Sequence, residues 1–363
     1  MQENKERKKV LVALSGGVDS SVAAALLVEQ GHEVIAASMR LWSEAGSEMD
    51  NRCCTPETRR NACLQAEMLG IPYYELDAAA EFHYEVVNAF LQGYACGQTP
   101  NPCLVCNQRI KWGFLLEHTR RLGAEYIATG HYARILPAAR GKMALWRAVD
   151  AEKDQSYFLC LLTQAQLADT LFPLGELRKD QVRDLARERG LPAAEMPESQ
   201  DLCFLGGMDY RVFLRKYVPE VAAPGEIVNR GGQVLGTHNG LAFYTIGQRR
   251  GLPAADRPMY VINKDVNSNR LLVGYREELG RLNLSTQRVS WIAGEPPGES
   301  FTALVKIRYK AVPVYGRVTL LTDGTTRVQF DKPLRDITPG QMAVFYDGDH
   351  VLGGGLIQTY AYD

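Results

Sequence analysis

The stretch VLVALSGGVDSSVAAALLVEQG, residues 10–31, decides the fold of this 363-residue chain. Val10–Leu14 is a short apolar run typical of a buried strand, and it leads directly into the hexapeptide Ser15–Ser20. Apolar residues then recur four apart, which predicts a helix that ends at Gly31. Glu33–Met39 follows as a second apolar strand. Strand, helix and strand together indicate a βαβ unit in a parallel sheet with both faces covered.

The alternation of strands and helices continues to about residue 210. We therefore expect residues 1–210 to form an α/β domain built on a parallel sheet. Its further elements are predicted as a helix opened by Thr55-Pro56 and ending near Leu69, a strand at Pro72–Asp77, a helix from about Glu81 to Gly97, a strand at Tyr126–His131 and a helix at Leu177–Gly190.

The sequence changes character after about residue 210, where helical periodicity fades. Met259–Gly274 predicts a β-hairpin with its turn at Asn267–Asn269. From Leu284 onward, short alternating strands separated by Gly, Pro and Asp indicate a small β-barrel. We expect a small mixed or β central domain over residues 211–283 and a C-terminal β-barrel over residues 284–363.

Composition and charge narrow the class of protein. The formal net charge is −1, which argues against binding nucleic acid by bulk electrostatics but leaves room for local basic patches. There is no run of about 18 apolar residues, and the charged N-terminus lacks the apolar segment of a signal peptide. We expect a cytoplasmic protein with no membrane partner. Its eight cysteines then point to metal binding or catalysis rather than to a disulfide framework.

The hexapeptide Ser15–Ser20 has the chemistry of a phosphate site. Its glycines let the backbone turn tightly and approach a ligand, while the following helix offers unpaired N–H groups and the positive end of its dipole. It lacks the Gly-Lys-Ser/Thr ending of a Walker A loop and is not G-x-G-x-x-G. The alternative is a plain turn in which Asp19 or Ser20 caps the helix.

Two thiols three residues apart stand out in NPCLVCN, residues 101–107. From the residues alone, Cys103 and Cys106 are half of a zinc site, a redox pair, or a nucleophile with a helper. Cys203, in DLCFLG, would by itself be interpreted as a small buried apolar residue. The same interpretation applies to the remaining cysteines, which are Cys53, Cys54, Cys63, Cys96 and Cys160.

SGGVDS after a buried strand resembles the loop of ATP pyrophosphatases that cleave between the α and β phosphates, the PP-loop superfamily with an adenine nucleotide α-hydrolase-like fold. Nearly the whole chain, from about Lys9, further resembles bacterial tRNA-specific 2-thiouridylases of the MnmA type. This resemblance is carried by six fragments in the same order: TPNPCLVCNQRIKWG, ATGHYAR, KDQSYFL, ESQDLCFLG, TIGQRRGL and TPGQMAVFY.

The resemblance implies a reaction and its cysteines. ATP, with Mg²⁺, would adenylate the C2 oxygen of the wobble uridine at position 34 of tRNA, and sulfur would then replace that oxygen, giving 2-thiouridine, AMP and pyrophosphate. By motif match, Cys203 is the persulfide carrier. Cys106 is the second catalytic cysteine, which would release the sulfur by forming a disulfide with Cys203 or help to generate free sulfide. The implied partners are Lys, Glu and Gln tRNAs, bound at the anticodon loop, and an upstream cysteine desulfurase or sulfur relay protein that supplies the persulfide.

The resemblance also assigns binding residues. For ATP it implies Ala13, Leu14, Ser15, Gly16, Gly17, Val18, Asp19, Ser20, Met39 and Gly130. For RNA it implies Asn101, Pro102, Cys103, His131, Lys153, Asp154, Gln155, Arg308, Tyr309 and Gln341.

The alternation in KIRYK, residues 306–310, gives partial support to the RNA assignment. On a strand it would place Lys306, Arg308 and Lys310 on one solvated face. The same alternation would point Tyr309 toward the core, against a direct RNA contact.

One position departs from the family pattern. The usual residue at position 103 is Asp, and this chain has Cys103. Cys103, Cys106 and Cys203 resemble the three ligands that hold a [4Fe–4S] cluster in other tRNA thiolases of the superfamily, and thiolates suit such a cluster. Cluster-free persulfide chemistry is the competing interpretation. Zinc is a third, although no fourth ligand is evident.

Two other classes of protein are compatible with parts of the sequence. A PP-loop synthetase acting on a small molecule would need no basic strand in a terminal barrel, and no glutaminase signature accompanies the loop. A non-enzymatic RNA-binding module would need neither the phosphate loop nor the thiols. Turnover of ATP to AMP and pyrophosphate distinguishes both enzymes from the binding module, and dependence of that turnover on tRNA distinguishes the two enzymes from each other.

Overall fold

The computed structural model describes residues 7–44, 56–197 and 202–358. The predicted α/β architecture of the N-terminal part is confirmed. Its elements in chain order are β1 (Lys9–Ala13), α1 (Val18–Glu29), β2 (Glu33–Arg40), α2 (Pro56–Met68), β3 (Tyr73–Asp77), α3 (Ala79–Phe82), α4 (Asn88–Ala95), α5 (Pro102–Val105), α6 (Leu116–Arg121), β4 (Tyr126–Ala128), β5 (Ala133–Pro137), β6 (Met143–Arg147), α7 (Gln164–Ala168), β7 (Thr170–Leu171), α8 (Lys179–Glu188) and α9 (Tyr210–Tyr217).

Five parallel strands form the N-terminal sheet in the order β3-β2-β1-β4-β7. Val10 of β1 pairs with Val34 of β2 on one side and with Tyr126 of β4 on the other. The strand order therefore reverses between β1 and β4. In open α/β sheets such a switch point leaves a crevice at the carboxyl ends of the strands, and ligands bind there. The predicted helix starting at Thr55-Pro56 is observed from Pro56, and Thr55 lies outside the described residues.

Helix α1 is buried on two faces. Val22 and Ala23 pack in one apolar cluster with Tyr132, while Ala24 and Leu27 pack in another beneath the sheet. Small side chains make this possible, because they let the helix lie close to both layers.

Two long helices contain π-helical segments. His83–Val87 joins α3 to α4, and Cys106–Leu115 joins α5 to α6. π-Helical segments are rare in proteins, and those that occur are often at functional sites. The second segment is of interest here because it begins at Cys106. Across the three described ranges, no helix is both long enough and apolar enough to cross a membrane.

The central domain is a small mixed sheet, as predicted. It contains β8 (Gly225–Val228), β9 (Val234–His238), β10 (Tyr260–Asp265) and β11 (Arg270–Gly274), in the order β10-β11-β8-β9. Strands β11 and β8 are parallel, and the other pairs are antiparallel. The predicted hairpin turn is confirmed between β10 and β11, where Asn269 has a φ of 52°.

The C-terminal part is rich in β-structure, as predicted. Its strands are β12 (Arg281–Thr286), β13 (Ser290–Trp291), β14 (Ser300–Lys306), β15 (Val314–Leu320), β16 (Thr326–Leu334), β17 (Met342–Asp347) and β18 (His350–Leu356). The sheet runs in the order β12-β16-β15-β14-β17-β18-β6-β5, with β13 paired to β18. The hairpin β5–β6, which precedes the central domain in sequence, thus extends this sheet, with Trp146 opposite His350.

The strand prediction for KIRYK was wrong beyond its first residue. Strand β14 ends at Lys306, and Arg308–Lys310 lie in the connection to β15. Lys306 is itself buried, beside the equally buried Val305, so the residues do not form a solvated charged face. Apolar contacts with the N-terminal domain replace the expected alternation, because Leu304 and Tyr309 pack against the cluster that contains Tyr157.

Candidate active site

The loop between β1 and α1 is shaped around Gly16. This residue has a φ of +80°, and a Cβ built on it would lie 2.3 Å from the carbonyl oxygen of Thr58. Only glycine satisfies both the positive φ and this close approach. Gly17 is the N-cap residue of α1, and no side-chain hydrogen bond caps the helix there. The positive end of the helix dipole therefore meets the loop without a competing cap.

Hydroxyl groups fix the shape of the loop. Ser20 Oγ accepts from the Ser15 backbone N–H at 3.2 Å and donates to the Gly17 carbonyl at 3.0 Å. Gln65 on α2 supports the loop from outside, since its Nε2 donates to the Gly16 carbonyl at 3.1 Å while its Oε1 accepts from Ser21 Oγ at 2.6 Å. Ser15 is exposed and Ser20 is buried, so Ser15 is the loop serine that faces solvent.

Asp19 is held by two residues that the sequence reasoning missed. Lys179 Nζ donates to both carboxylate oxygens, at 2.6 and 2.8 Å, and the Tyr132 hydroxyl donates to Oδ1 at 2.7 Å. Lys179 is the first residue of α8, where a positive charge opposes the helix dipole. This unfavourable position is a weak hint in the sequence that Lys179 pairs with a carboxylate elsewhere.

Four of the other residues assigned to ATP lie around the same crevice. Gly130 follows β4 and packs against the first turn of α1, because a Cβ on it would lie 2.7 Å from Ser20 N. Met39 lies near the carboxyl end of β2 and is half-buried between two apolar clusters. Ala13 is the last residue of β1, and Leu14 connects it to the loop. The carboxyl ends of β1, β2 and β4 thus converge at the switch point.

The NPCLVC segment begins a helix. Asn101 is its N-cap, with Oδ1 accepting from the Cys103 N–H at 3.2 Å, and Pro102 occupies the first turn. Cys103 is exposed in this first turn. Cys106, one turn later, starts the π-helical segment and is half-buried.

Cys106 and Cys203 border the same cluster of aromatic side chains. Both pack against the group that contains Phe82, Phe90 and Phe204, and Cys103 does not belong to it. Cys203 begins a short 3₁₀ turn that continues directly into Phe204. The fold therefore brings two cysteines that are distant in sequence to one apolar surface.

The three thiols do not form a metal site in this structure. Among the described residues, which include Cys103, Cys106 and Cys203, no three His, Cys, Asp or Glu side chains are grouped so that they could hold a metal ion. Cys103 lies on the exposed side of its helix, while the other two border the aromatic cluster. The expected [4Fe–4S] ligand set, and a zinc site on the same thiols, are therefore not supported.

His131 is a buried residue in the loop that follows β4. Its Nδ1 lies 2.6 Å from Thr129 Oγ1 and its Nε2 lies 3.2 Å from Lys111 Nζ. Burial, with Lys111 adding to it, lowers the pKa of His131 well below its usual value. The imidazole is thus neutral near pH 7, and it links Lys111 of the π-helical segment to the loop that contains Gly130.

The KDQ residues mainly hold loops. Asp154 is buried and accepts from the backbone N–H groups of Ala148 and Ser156, at 3.2 and 3.1 Å. Gln155 Oε1 accepts from the Tyr132 N–H at 3.1 Å and so supports the chain next to His131. Lys153 is half-buried at the start of this segment.

Two residues from the C-terminal part pack near the NPCLVC segment. Gln341 Nε2 donates to the Thr99 carbonyl at 2.7 Å. Tyr309 packs on Phe158, with ring centroids 4.4 Å apart, and the Phe158 carbonyl in turn accepts from Asn107 Nδ2 at 3.1 Å.

Arg308 belongs to the same junction. Its Nη2 donates to the Ile246 carbonyl at 3.0 Å and to the Thr338 hydroxyl. Arg308 therefore ties the central domain to the barrel.

The fold and the phosphate loop define the chain as an α/β enzyme of the PP-loop class. Three family models match consecutive parts of it: a tRNA methyl transferase HUP domain over residues 8–207, a tRNA methyl transferase PRC-barrel domain over residues 211–275, and an aminomethyltransferase β-barrel domain over residues 281–357.

Curated relatives match over nearly their full length. Proteins named tRNA-specific 2-thiouridylase MnmA are 48% identical in Magnetococcus marinus, covering 96% of this chain and 99% of the relative, and 47% identical in Chloroflexus aurantiacus, covering 96% and 98%. A third, from Geotalea uraniireducens, is 46% identical, covering 99% and 97%. The chain belongs to the tRNA-specific 2-thiouridylase family.

Proposed function

We propose that this protein is an ATP-dependent tRNA-uridine 2-sulfurtransferase that acts in the cytoplasm. It adenylates the C2 oxygen of the wobble uridine at position 34 and replaces that oxygen with sulfur. The observation that carries the proposal is the placement of Cys106 and Cys203 against one aromatic cluster, in a chain whose phosphate loop opens at the sheet's switch point.

The residues Ala13–Ser20, with Met39 and Gly130, bind ATP. Backbone N–H groups at the start of α1 and the Ser15 hydroxyl receive the phosphates. A Mg²⁺ ion carried in with the nucleotide would be held by phosphate oxygens and water, since both carboxylate oxygens of Asp19 already accept from Lys179. Such an ion would neutralise charge on the leaving pyrophosphate. Lys179 holds the Asp19 carboxylate at 2.6 Å and compensates its charge beside the phosphates.

The anticodon loop enters beside Asn101, Pro102 and Cys103. The exposure of Cys103 in the first turn of their helix supports this placement, as does the contact of Gln341 with the Thr99 carbonyl just before it. The C2 oxygen of the uridine attacks the α-phosphorus of ATP, the bond to the bridging oxygen breaks, and pyrophosphate leaves. Positioning supplies most of the rate enhancement in such a step.

Sulfur then moves through the two cysteines. Cys203 arrives as a persulfide loaded by an upstream donor, and its terminal sulfur attacks C2 so that AMP leaves. The Cys106 thiolate attacks Sγ of Cys203, which releases the thiocarbonyl and forms a Cys106–Cys203 disulfide. An external thiol must reduce this disulfide before the next cycle. This route needs no metal and gives Cys103 no covalent role.

The sulfurtransferase must be distinguished from a PP-loop synthetase that acts on a small molecule. The experiment incubates the protein with ATP, a persulfide donor and unmodified Lys, Glu or Gln tRNA, and measures AMP and thiolated nucleosides. We expect AMP formation that requires tRNA, and one 2-thiouridine per AMP. AMP formation that proceeds equally well without tRNA would favour the synthetase.

A further inference from the structure

The loop before the NPCLVC segment lies between two other parts of the molecule. Gly97 packs on the central-domain hairpin so closely that a Cβ would lie 2.3 Å from Val266 Cγ2. A Cβ on Gly340 of the barrel would lie 2.9 Å from Thr99 N. The half-buried residues Gly97–Thr99 are thus contacted by both the central domain and the barrel just before Asn101.

The central domain contributes a buried lysine to this junction. Lys264, on β10, is only 7% exposed. Its Nζ donates to the Tyr244 carbonyl at 3.1 Å and lies 3.5 Å from the Gln98 carbonyl. In the part of the chain that the structure describes, no carboxylate lies within ion-pair distance of this ammonium.

The barrel holds the neighbouring peptide unit. The Thr99 N–H donates to the Pro339 carbonyl at 2.9 Å, and the Thr99 carbonyl accepts from Gln341 Nε2 at 2.7 Å. Two consecutive backbone carbonyls are therefore contacted by side chains from different domains. Lys264 of the central domain contacts the Gln98 carbonyl, and Gln341 of the barrel contacts the Thr99 carbonyl.

A lysine in this environment is unfavourable for stability alone. Burying an ammonium without a carboxylate partner costs free energy, and burial lowers the pKa of Lys264 from its usual value to about 7. Either protonation state still has N–H groups to donate to the two carbonyls. An apolar side chain of similar length would fill the same space without the desolvation cost, so the contacts to the loop are the feature that a lysine adds.

We propose that Lys264 is a positioning residue for the uridine site: with Gln341, it fixes the Gln98–Thr99 loop so that Asn101, Pro102 and Cys103 are presented in the orientation that catalysis needs. It acts through the loop and does not touch the substrate. The inference rests on the proposed function for the identity of the substrate. The contacts that hold the loop do not depend on that function.

The first test compares Lys264→Met, Lys264→Arg and the exposed-lysine control Lys332→Met in tRNA-dependent AMP formation. We expect Lys264→Met to lower kcat about tenfold while KM for ATP changes less than about twofold, since the phosphate loop lies on another part of the domain. Lys264→Arg keeps donors for the carbonyls and should restore activity to within about threefold of wild type. Lys332→Met should behave as wild type.

The second test needs no enzymatic activity. The alkylation rates of Cys103 and Cys63 by iodoacetamide are measured by peptide mass spectrometry in wild type and Lys264→Met. Cys103 follows the fixed loop, whereas Cys63 lies on α2. We expect the Cys103 rate to change about threefold or more while the Cys63 rate stays constant.

The outcomes separate the two proposals. A Lys264→Met protein with unchanged kcat and unchanged Cys103 labelling would overturn the positioning role. Faster labelling of both cysteines would also overturn it, because that pattern indicates general destabilisation. Wild-type protein that never thiolates tRNA would overturn the proposed function, while the labelling experiment would still test Lys264.

Discussion

Asp19 is the residue on which the charge balance of the phosphate loop depends. It is acidic, yet it lies in the first turn of α1, where the phosphates of ATP would be bound. Lys179 and Tyr132 both donate to its carboxylate, so its negative charge is compensated before a nucleotide arrives. Sequence motifs pointed to Asp19 but not to its partners, because the partners come from distant segments that only the tertiary fold brings near.

Removing Lys179 should weaken ATP binding. In Lys179→Met, the uncompensated Asp19 carboxylate repels the phosphates, and we expect Kd for ATP to rise about tenfold. The double variant Asp19→Asn with Lys179→Met removes the repulsion and should recover part of the affinity. Isothermal titration of ATP into wild type, Asp19→Asn, Lys179→Met and the double variant measures the coupling. Strictly additive effects would show that the two side chains do not act as a pair.

Gly16 gives a second prediction at the residue scale. Gly16→Ala combines a positive φ with a Cβ placed 2.3 Å from the Thr58 carbonyl, so the loop must move. Gly70→Ala is the matched control, because Gly70 also has a positive φ but nothing within 4 Å of the added Cβ. Both should lose about 1 kcal/mol of stability from the positive φ. Gly16→Ala should lose more because of the clash, and only Gly16→Ala should lose ATP binding. Equal ATP affinity in the two variants would contradict this description of the loop.

At the scale of elements, patterns predicted most of the structure. Strands β1 and β2, helix α1 and the hairpin β10–β11 could be found from the sequence, because each has a clear periodicity bounded by turn residues. KIRYK could not, since its alternation is interrupted by packing against Tyr157 and Phe158. From the sequence, β5 and β6 could at best have been recognised as two strands. The pairing of β6 with β18 is a long-range contact that leaves no local signal in the sequence.

The helix that starts at Asn101 offers a test of element geometry. Asn101→Ala removes the cap on the Cys103 N–H and should cost about 1 kcal/mol of stability. Thr163→Ala removes the corresponding cap of α7, where Thr163 accepts from the Gln166 N–H. We expect similar destabilisation in urea unfolding, with loss of thiolation only in Asn101→Ala. Full activity in Asn101→Ala would mean that the start of this helix does not position the uridine site.

At the scale of the whole molecule, three domains meet on one loop. Lys264 comes from the central domain, Gln341 from the barrel, and the loop they hold leads into the helix of Cys103 and Cys106. The near-neutral net charge is compatible with this arrangement, because a local site at a domain junction does not require a basic surface overall. The domain succession was visible in the sequence, but the convergence on Gln98–Thr99 was not, since it depends on buried backbone carbonyls.

The lowered pKa of Lys264 also predicts how the stability of the protein depends on pH. Its pKa falls from 10.5 in the unfolded chain to about 7 in the folded one, so between these values the unfolded chain binds an extra proton. The contribution of Lys264 to the free energy of unfolding therefore rises with pH across this window, by up to about 1.4 kcal/mol per pH unit. Below pH 7 the Lys264 ammonium is charged in the folded protein, and its burial then lowers the free energy of unfolding the most.

The measurement is urea unfolding at several pH values for wild type and Lys264→Met. The difference in unfolding free energy should shift in favour of wild type as the pH rises from 7 toward 10. A difference that does not change with pH would show that Lys264 titrates normally.

The central claim is that sulfur reaches the uridine through Cys203 and Cys106 without a metal. It is tested most directly by a single anaerobic turnover of protein loaded with persulfide on Cys203, in the presence of ATP and tRNA, followed by peptide mapping. We predict one Cys106–Cys203 disulfide for each 2-thiouridine formed, in wild type and in Cys103→Ser alike. Formation of 2-thiouridine without that disulfide, or only in protein that holds iron and loses both iron and activity in Cys103→Ser, would contradict the account.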